Sequence, residues 1–145
     1  MLERECIFCK IVGGKISARV ITQSDKALAF LDAFPLSLGH TLLIPKEHFS
    51  KVQDMNRAYM LAVFDLLRPL TAAVEVATGV KASTIAIHNG IDAGQEILHV
   101  HIHIIPRVLG DGAGPVHSMF KNRPRLGPEK MDSIRDRIKE YLEQE

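Results

Sequence analysis

The chain of 145 residues lacks a strong excess of either charge, a long apolar run and more than two cysteines. Its net charge of +1 creates no long-range field that would attract a polyanion, so we expect no nucleic-acid partner. No apolar run approaches the roughly 20 residues that span a bilayer, and the first residues are acidic rather than signal-like. These absences predict a cytoplasmic protein with no membrane partner.

Composition and length indicate one ordinary globular domain. Hydrophobic residues make up 46% of the chain and charged residues 24%, and 145 residues are enough to bury a sizeable core. We predict a single domain over residues 1–145, without internal repeats. One basic cluster, Lys121, Arg123 and Arg125, could reach a phosphate, but a solvated loop is the commoner arrangement of such charges. It is therefore left out of the site.

Alternating apolar residues, bounded by glycine, proline and polar turn residues, predict short strands in five places. The predicted strands are residues 20–22, 27–31, 41–44, 83–87 and 97–105. The first two form a hairpin, and Pro106 ends the last because proline cannot donate a ladder hydrogen bond. Consecutive strands with such short connections favour an antiparallel sheet.

Two segments have helical periodicity instead. Apolar residues at three- and four-residue spacing predict a long helix from Asp54 to near Gly79, and Pro69 inside it predicts a kink or two abutting helices. A C-terminal helix starts at Pro128, a residue suited to the first helical position. An antiparallel sheet with two separate helices makes an α+β fold.

Three histidines stand at alternate positions near residue 101. In a strand, His99, His101 and His103 project from one face while Val100 and Ile102 face the other. Imidazoles roughly 6.5 to 7 Å apart along a strand can converge on one anion such as a phosphate group. Clustering disfavours protonation of each ring and keeps at least one neutral and nucleophilic. A single strand histidine is usually structural, but three in register favour a site.

Zinc is the other ligand that this spacing suits, since histidines two apart on a strand commonly bind it. Cys6 and Cys9 also have the spacing of a zinc knuckle. In a reducing compartment a metal site or free thiols are favoured over a disulfide. The residue pattern alone leaves both phosphate and metal open for the histidines.

A resemblance to a known family bears on this choice. The segment Gly94-Gln95-Glu96-Ile97-Leu98-His99-Val100-His101-Ile102-His103-Ile104-Ile105-Pro106-Arg107 resembles the signature of the histidine triad (HIT) superfamily of nucleotide hydrolases and transferases, in its microbial, zinc-containing branch. Residues 6–11, 29–32 and 39–46, together with His48, are similar to the family's amino-terminal half. The resemblance covers about residues 5–107 and leaves 108–145 as a variable C-terminal segment. It implies the histidine triad fold.

The resemblance implies an enzyme of the nucleoside phosphoramidase or dinucleoside polyphosphate hydrolase type. His101 would attack the α-phosphorus, and water would then release the nucleoside monophosphate from the nucleotidyl-histidine, with no catalytic metal. His103 would contact the phosphate or the leaving group, and Gln95 would place an amide near the nucleophile. His40 and His99 would support the triad. By local pattern alone, Gln95 is better explained as a turn cap and His40 as a buried structural histidine.

The resemblance also implies a purine nucleotide pocket. Asp32 would accept hydrogen bonds from both ribose hydroxyls, because a carboxylate offers two acceptor oxygens and no donor. The implied walls of the base pocket are Phe8, Ile11, Ile16, Phe30 and Ala33, although each of these apolar residues is by itself more often core. The remaining implied nucleotide contacts are Asn89, Gly94, Gln95, His101 and His103.

A structural zinc ion and a homodimer are implied in the same way. The implied zinc ligands are Cys6, Cys9, His48 and His99, a set suited to closed tetrahedral coordination. A pair of reduced, buried cysteines is the alternative. Two other functions stay open: a nucleotide-sensing or partner-binding protein without turnover, and a metallohydrolase that uses the three histidines as ligands.

Two residues depart from the family pattern. Glu96 stands where many members have serine or threonine, and its carboxylate would repel phosphate if it faced inward. His88 stands where some branches have asparagine or glutamine, and it adds a titratable donor without an assigned role. His117 has no assigned role either.

Overall fold

The computed structural model describes residues 3–144, which form two compact units, one ending at Asp111 and the other beginning at Gly112. The first unit contains a five-stranded sheet and two α-helices, and the second contains one α-helix and a short 3-10 turn. The single domain expected over residues 1–145 stays a prediction.

All neighbouring strands of the sheet are antiparallel, which confirms the predicted α+β fold. The strands are β1 (Val20–Gln23), β2 (Ala27–Leu31), β3 (Thr41–Pro45), β4 (Ala82–Ala86) and β5 (Ile102–Arg107). Their order in the sheet is β1-β2-β3-β5-β4. β5, which carries His103, therefore lies between β3 and β4, and the segments that flank those two strands can meet it from both sides.

The helices are α1 (Ile7–Val12), α2 (Arg57–Thr78) and α3 (Pro128–Glu143). The expected start of α2 at Asp54 is wrong, because the Oδ1 of Asn56 accepts the Tyr59 N–H at 3.1 Å and caps the helix instead. The helix runs through Pro69 without a break, so two abutting helices are ruled out. Among the described residues, no helix is long and apolar enough to cross a membrane.

The two faces of the sheet have different partners, which follows from the alternation of side chains along each strand. One face packs Leu43, Ile102 and Ile104 against α2. The other buries Phe30 and Leu42 together with Phe8 of α1. Cross-strand pairing places His103 beside Leu42 on one side and Ala86 on the other, so the histidine belongs to this second face.

The last strand is shifted relative to the prediction at 97–105. β5 begins at Ile102, because the backbone before it bonds elsewhere: the Val100 N–H donates to the Phe49 carbonyl at 2.7 Å. Pro106 lies inside β5 rather than ending it. Proline is tolerated at this position because β3 pairs with β5 only as far as Ile104. The Pro106 carbonyl accepts a hydrogen bond from the Ser37 hydroxyl at 2.8 Å.

Candidate functional site

His101 is buried, and only one of its ring nitrogens has a hydrogen-bond partner among residues 3–144. Its Nδ1 lies 2.7 Å from the carbonyl oxygen of His99. A carbonyl only accepts, so Nδ1 carries the proton and Nε2 carries a lone pair. Burial lowers the pKa of His101 below its usual value, which keeps the ring neutral. The edge-to-face ring of Phe8, 5.1 Å away between centroids, holds the imidazole in place.

His103 is oriented by a chain of hydrogen bonds that starts at the backbone. The Leu36 N–H donates to Nδ1 of His40 at 3.1 Å, so the proton of neutral His40 is on Nε2. That Nε2–H lies 2.9 Å from Nδ1 of His103 and donates to it. The proton of His103 is therefore on Nε2, which is buried and has no partner among residues 3–144. Burial and the neighbouring imidazoles lower the pKa of His103 to about 4.

Asp32, directly after β2, lies beside the hydrogen-bonded pair of His40 and His103. Its Oδ2 is 3.6 Å from Nε2 of His40, and its Oδ1 accepts the Phe34 N–H at 2.8 Å. The carboxylate is held in one orientation and is partly exposed, with accepting capacity left for hydroxyl donors. Asp32, His40 and His103 also form a cluster with metal-ligand spacing. Because the Nε2 proton of His40 is shared with His103, that nitrogen is not available to a cation.

Both ring nitrogens of His99 have partners of their own, so His99 cannot bind an anion together with His101 and His103. This is contrary to the expectation that all three histidines converge on one phosphate group. Its Nε2 lies 2.9 Å from the Pro45 carbonyl oxygen, so Nε2 donates and Nδ1 carries the lone pair. That lone pair is 3.4 Å from the sulfur of Cys6 and 3.5 Å from the sulfur of Cys9. Full burial lowers the pKa of His99 to about 4 and makes it a neutral ligand.

The four residues that the resemblance implies as zinc ligands form one cluster. Each offers a ligand atom within 4.8 Å of all the others, and Nδ1 of His48 is 3.3 Å from the Cys9 sulfur. Sulfur and nitrogen ligands of one tetrahedral zinc ion lie ~3.5 Å apart, given the usual Zn–S and Zn–N bond lengths. The sulfur–nitrogen distances here match that value. The donor set therefore fits a zinc ion.

Gln95 holds the loop before the histidines. The Nε2 of this buried side chain donates to the carbonyls of Ser50 at 2.7 Å and Ile97 at 3.1 Å, and its Oε1 accepts the Gly90 N–H at 2.8 Å. Both amide hydrogens are used, so none is left for a substrate. Gln95 positions the loop, as the turn-cap alternative predicts.

The other loop residues are exposed. Asn89 accepts the Val52 N–H at 2.9 Å through Oδ1, and its Nδ2 donates to the side-chain Oε1 of Gln53 at 2.9 Å. Gly94 has a φ of 92°, which favours glycine, and Glu96 faces solvent. An exposed Glu96 removes the expected conflict between its carboxylate and a bound phosphate.

The residues expected around the base fall into two groups. Phe8 and Phe30 are buried against each other, with ring centroids 5.6 Å apart, and Ile11 packs on the same cluster. Ile16 and Ala33 are exposed.

A separate cleft of about 650 Å³ is lined by Glu3, Arg4, Cys9, Lys10, Gly13 and Lys15. None of the expected nucleotide contacts is among those lining residues.

Sequence reasoning missed the backbone partners that set each ring's protonation. Leu36 contributes an N–H and Pro45 a carbonyl, and such contacts leave no signature in residue identity. It also left His88 without a role, although a third ring within 5.3 Å of His103 follows from the pairing of β4 with β5.

Comparison with known proteins identifies the family. The family model described as "HIT domain" matches residues 13–109, and the chain belongs to this family. It is 42% identical over 109 residues to an uncharacterized HIT-like protein of Methanocaldococcus jannaschii, covering 74% of this chain and 82% of the relative. It is 34% identical to the adenylylsulfatase HINT3 of Arabidopsis thaliana, over 88% of this chain and 65% of that protein. An adenosine 5'-monophosphoramidase of Schizosaccharomyces pombe is 39% identical, over 70% and 74%.

Solved structures agree with the fold. A HIT family member from Bacillus subtilis superposes with a TM-score of 0.83 at 34% identity, covering 93% of this chain and 95% of that one. A zinc-bound histidine triad family protein from Mycobacterium smegmatis has a TM-score of 0.72 at 30% identity, covering 86% of each chain.

Proposed function

We propose that this protein hydrolyses purine nucleoside 5'-phosphate conjugates at the α-phosphorus, through a nucleotide bound covalently to His101. The observation that supports this most is the free Nε2 lone pair of a buried, neutral His101 next to the unpartnered Nε2–H of His103. A nucleophile and a donor then lie side by side, as phosphoryl transfer requires. The phosphoramidase and adenylylsulfatase relatives act on conjugates of this kind by name.

In the first step the lone pair of His101 Nε2 forms a bond to phosphorus while the P–N or P–O bond to the leaving group breaks. The electron pair of the broken bond stays with the leaving atom, which takes a proton from solvent water, while the Nε2–H of neutral His103 donates a hydrogen bond to the departing group. The imidazole of His101 becomes cationic, and its short Nδ1–H bond to the His99 carbonyl stabilises that charge.

In the second step a water oxygen attacks phosphorus from the side the leaving group has left. The bond between phosphorus and Nε2 breaks, its electrons return to His101, and the proton of the attacking water passes to solvent. The nucleoside monophosphate leaves, and His101 regains its neutral form, with His103 neutral throughout. Asp32 is available to bind the ribose hydroxyls.

We also propose a structural zinc ion held by Cys6, Cys9, His48 and His99. The sulfur–nitrogen distances and the lone pair that the Pro45 contact leaves on His99 support it, as does the zinc-bound relative. When bound, zinc would supply a cross-link that fixes the His99 backbone. The His99 carbonyl in turn holds His101, so the metal would act on the site through protein structure only.

A homodimer is the remaining part of the proposal. β4 is an edge strand of the sheet with Ile85 exposed, and α2, which packs next to it, exposes Leu61, Phe64 and Val76. An open edge beside an apolar helix face suits pairing with a second copy. Sedimentation of the wild type at micromolar concentration should give twice the 16.1 kDa chain mass, whereas a monomer would reject the dimer.

Turnover of adenosine 5'-phosphoramidate tests the enzymatic function. Wild type should release AMP, and His101→Ala should bind AMP with unchanged affinity while its turnover falls by roughly 10³-fold or more. A protein that only senses nucleotides would bind AMP and show no turnover in the wild type. A metallohydrolase is disfavoured because His101 belongs to neither ligand cluster of the described residues. Turnover that survives in His101→Ala would remove the mechanism.

A further inference from the structure

The two cysteines of the chain differ in how far solvent reaches them. Cys6 is fully buried, whereas Cys9 is partly exposed and lines the open cleft of about 650 Å³. The sulfur of Cys9 also lies 3.3 Å from Nδ1 of His48. Cys9 therefore belongs both to the proposed zinc cluster and to the cleft, and a reagent that enters the cleft meets this ligand before the others.

The cleft is predominantly cationic. Its charged lining residues are Arg4, Lys10 and Lys15 against Glu3 alone, and Lys10 directly follows Cys9 in the chain. The whole chain has a net charge of only +1, so this concentration of positive charge is local. Cationic groups that line a concave surface raise the local concentration of anions. A small anion is therefore the occupant that suits the cleft.

Cys6 and Cys9 are placed to form a disulfide with each other. Cys6 is the N-cap of α1, and its sulfur accepts the Cys9 N–H at 3.5 Å. Residues three apart at a helical turn have Cα atoms roughly 5 Å apart, inside the range of roughly 4.4 to 6.8 Å that disulfides span. The two sulfurs lie within 4.8 Å of each other. Rotation about the two Cα–Cβ bonds can close the bond without unwinding α1.

We propose that Cys9 is a modification site for small anionic disulfides, which enter the cleft and oxidise Cys6 and Cys9 to an intramolecular disulfide. The Cys9 sulfur bonds to one sulfur of the reagent, whose own S–S bond breaks and releases a thiolate. The Cys6 sulfur then bonds to the Cys9 sulfur, the mixed disulfide breaks, and a second thiolate leaves. Each cysteine loses one electron and the reagent gains both, while any proton on the cysteine sulfurs passes to solvent.

Oxidation removes both sulfur ligands of the proposed zinc site. Only His48 and His99 would remain, too few for a closed tetrahedral site, so the ion should be released. The contacts of 3.4 and 3.5 Å between His99 and the two sulfurs change at the same time. Because the His99 carbonyl holds Nδ1 of His101, the oxidised chain should turn over substrate more slowly. This last consequence rests on the proposed function, whereas the oxidation itself does not.

The test oxidises the reduced full chain, supplied with zinc, by glutathione disulfide, which is anionic, and by cystamine, a cationic disulfide. Mass spectrometry measures the loss of two hydrogen atoms, peptide mapping locates the bond, and a chromogenic chelator measures released zinc. Each rate is divided by the rate of the same reagent with the chain unfolded in urea. At low ionic strength this normalised rate should be about tenfold higher for glutathione disulfide, and added salt should reduce the ratio. Equal normalised rates, or no bond between Cys6 and Cys9, would overturn the proposal.

Charge reversal supplies matched variants. Lys10→Glu combined with Lys15→Glu reverses the charge of the cleft. Arg68→Glu combined with Lys81→Glu makes the same change in net charge at exposed residues that do not line the cleft. The first pair should lose the preference for glutathione disulfide, and the second pair should keep it. Equal effects of the two pairs would mean that overall charge sets the rate, and the cleft would have no role.

The order of attack is a second readout. Cys6→Ser should hold a glutathionyl group on Cys9, whereas Cys9→Ser should gain none because Cys6 is buried. If either variant does not fold, early quenching of the wild type should locate the mixed disulfide on Cys9, and a mixed disulfide on Cys6 instead would overturn the proposal. A wild type that oxidises in this way but does not turn over adenosine 5'-phosphoramidate removes the proposed function alone. A wild type with turnover and no disulfide removes this proposal alone.

Discussion

The Nε2 of His40 lies 2.9 Å from the Nδ1 of His103. Through this contact a backbone N–H that binds His40 determines which ring nitrogen of His103 carries the proton. The Leu36 N–H leaves His40 only one neutral tautomer, and His40 in turn leaves His103 only one. The result is that the Nε2 proton of His103 is available where a leaving group would be. In the proposed function, His40 would therefore serve as a positioning residue that acts through His103.

Replacing His40 tests this chain. His40→Gln can accept the Leu36 N–H through its carbonyl and donate to His103 through its amide, whereas His40→Leu can do neither. We expect kcat for adenosine 5'-phosphoramidate to fall roughly 10- to 100-fold in His40→Leu, and to recover partly in His40→Gln. Equal activity of His40→Leu and wild type would contradict the tautomer chain.

Stability should depend on pH through His103. Its folded pKa is about 4 and the usual value is 6.5, so between these values the unfolded chain binds the additional proton. The contribution is therefore complete above pH 6.5 and is lost as the pH falls toward 4. The groups that face His103 and enter this balance are His40, His88, His101 and Asp32. Urea unfolding at pH 7, 6, 5 and 4.5 measures the slope.

The matched variant for that experiment is His103→Gln, which does not titrate. Its stability should fall less steeply between pH 6.5 and 4.5 than that of the wild type, with curves that converge at the acid end. Parallel curves over the whole range would mean that His103 has an unperturbed pKa.

Metal removal should destabilise the fold before it affects chemistry. Chelation, or Cys6→Ser, should lower the metal content toward zero and reduce Tm by several degrees, because a site of four ligands links α1 to the segment before β5. His117→Ala, which removes an exposed histidine outside the cluster, should keep its zinc. Full metal content in Cys6→Ser would place the ion elsewhere.

Gly39 should not tolerate a side chain. It has a φ of 87°, and an added Cβ would collide with the side chain of Thr78. We expect Gly39→Ala to cost roughly 1–3 kcal/mol in urea unfolding and to displace the adjoining His40. Gly79→Ala is the control for backbone strain alone, since its φ is 72° and the space around it is open. Equal costs for the two variants would show that the contact with Thr78 is relieved.

The sequence predicted the antiparallel sheet well, because alternation along a strand is a local property. It failed where hydrogen bonds come from distant backbone. Pro106 was expected to end a strand, but β5 continues through it since no β3 partner is left at that point. Asn56 rather than Asp54 caps α2, and both residues are equally good caps by type.

The residue types of the site could be predicted from the sequence, but the different roles of its three histidines could not. His99, His101 and His103 are equivalent by spacing, yet each ring has a different partner: the Pro45 carbonyl for His99, the His99 carbonyl for His101 and the His40 imidazole for His103. Pro45 turns the lone pair of His99 to the cysteines, and the His99 carbonyl turns that of His101 away from the backbone. Only the folded chain brings these partners together.

The covalent adduct is the most direct measurement of the central claim. Wild type mixed with adenosine 5'-phosphoramidate and quenched within one turnover should gain the mass of one adenylyl group, and peptide mapping should locate it on His101. An adduct on another residue, or turnover with none under conditions that stabilise phosphohistidine, would contradict attack by the free Nε2.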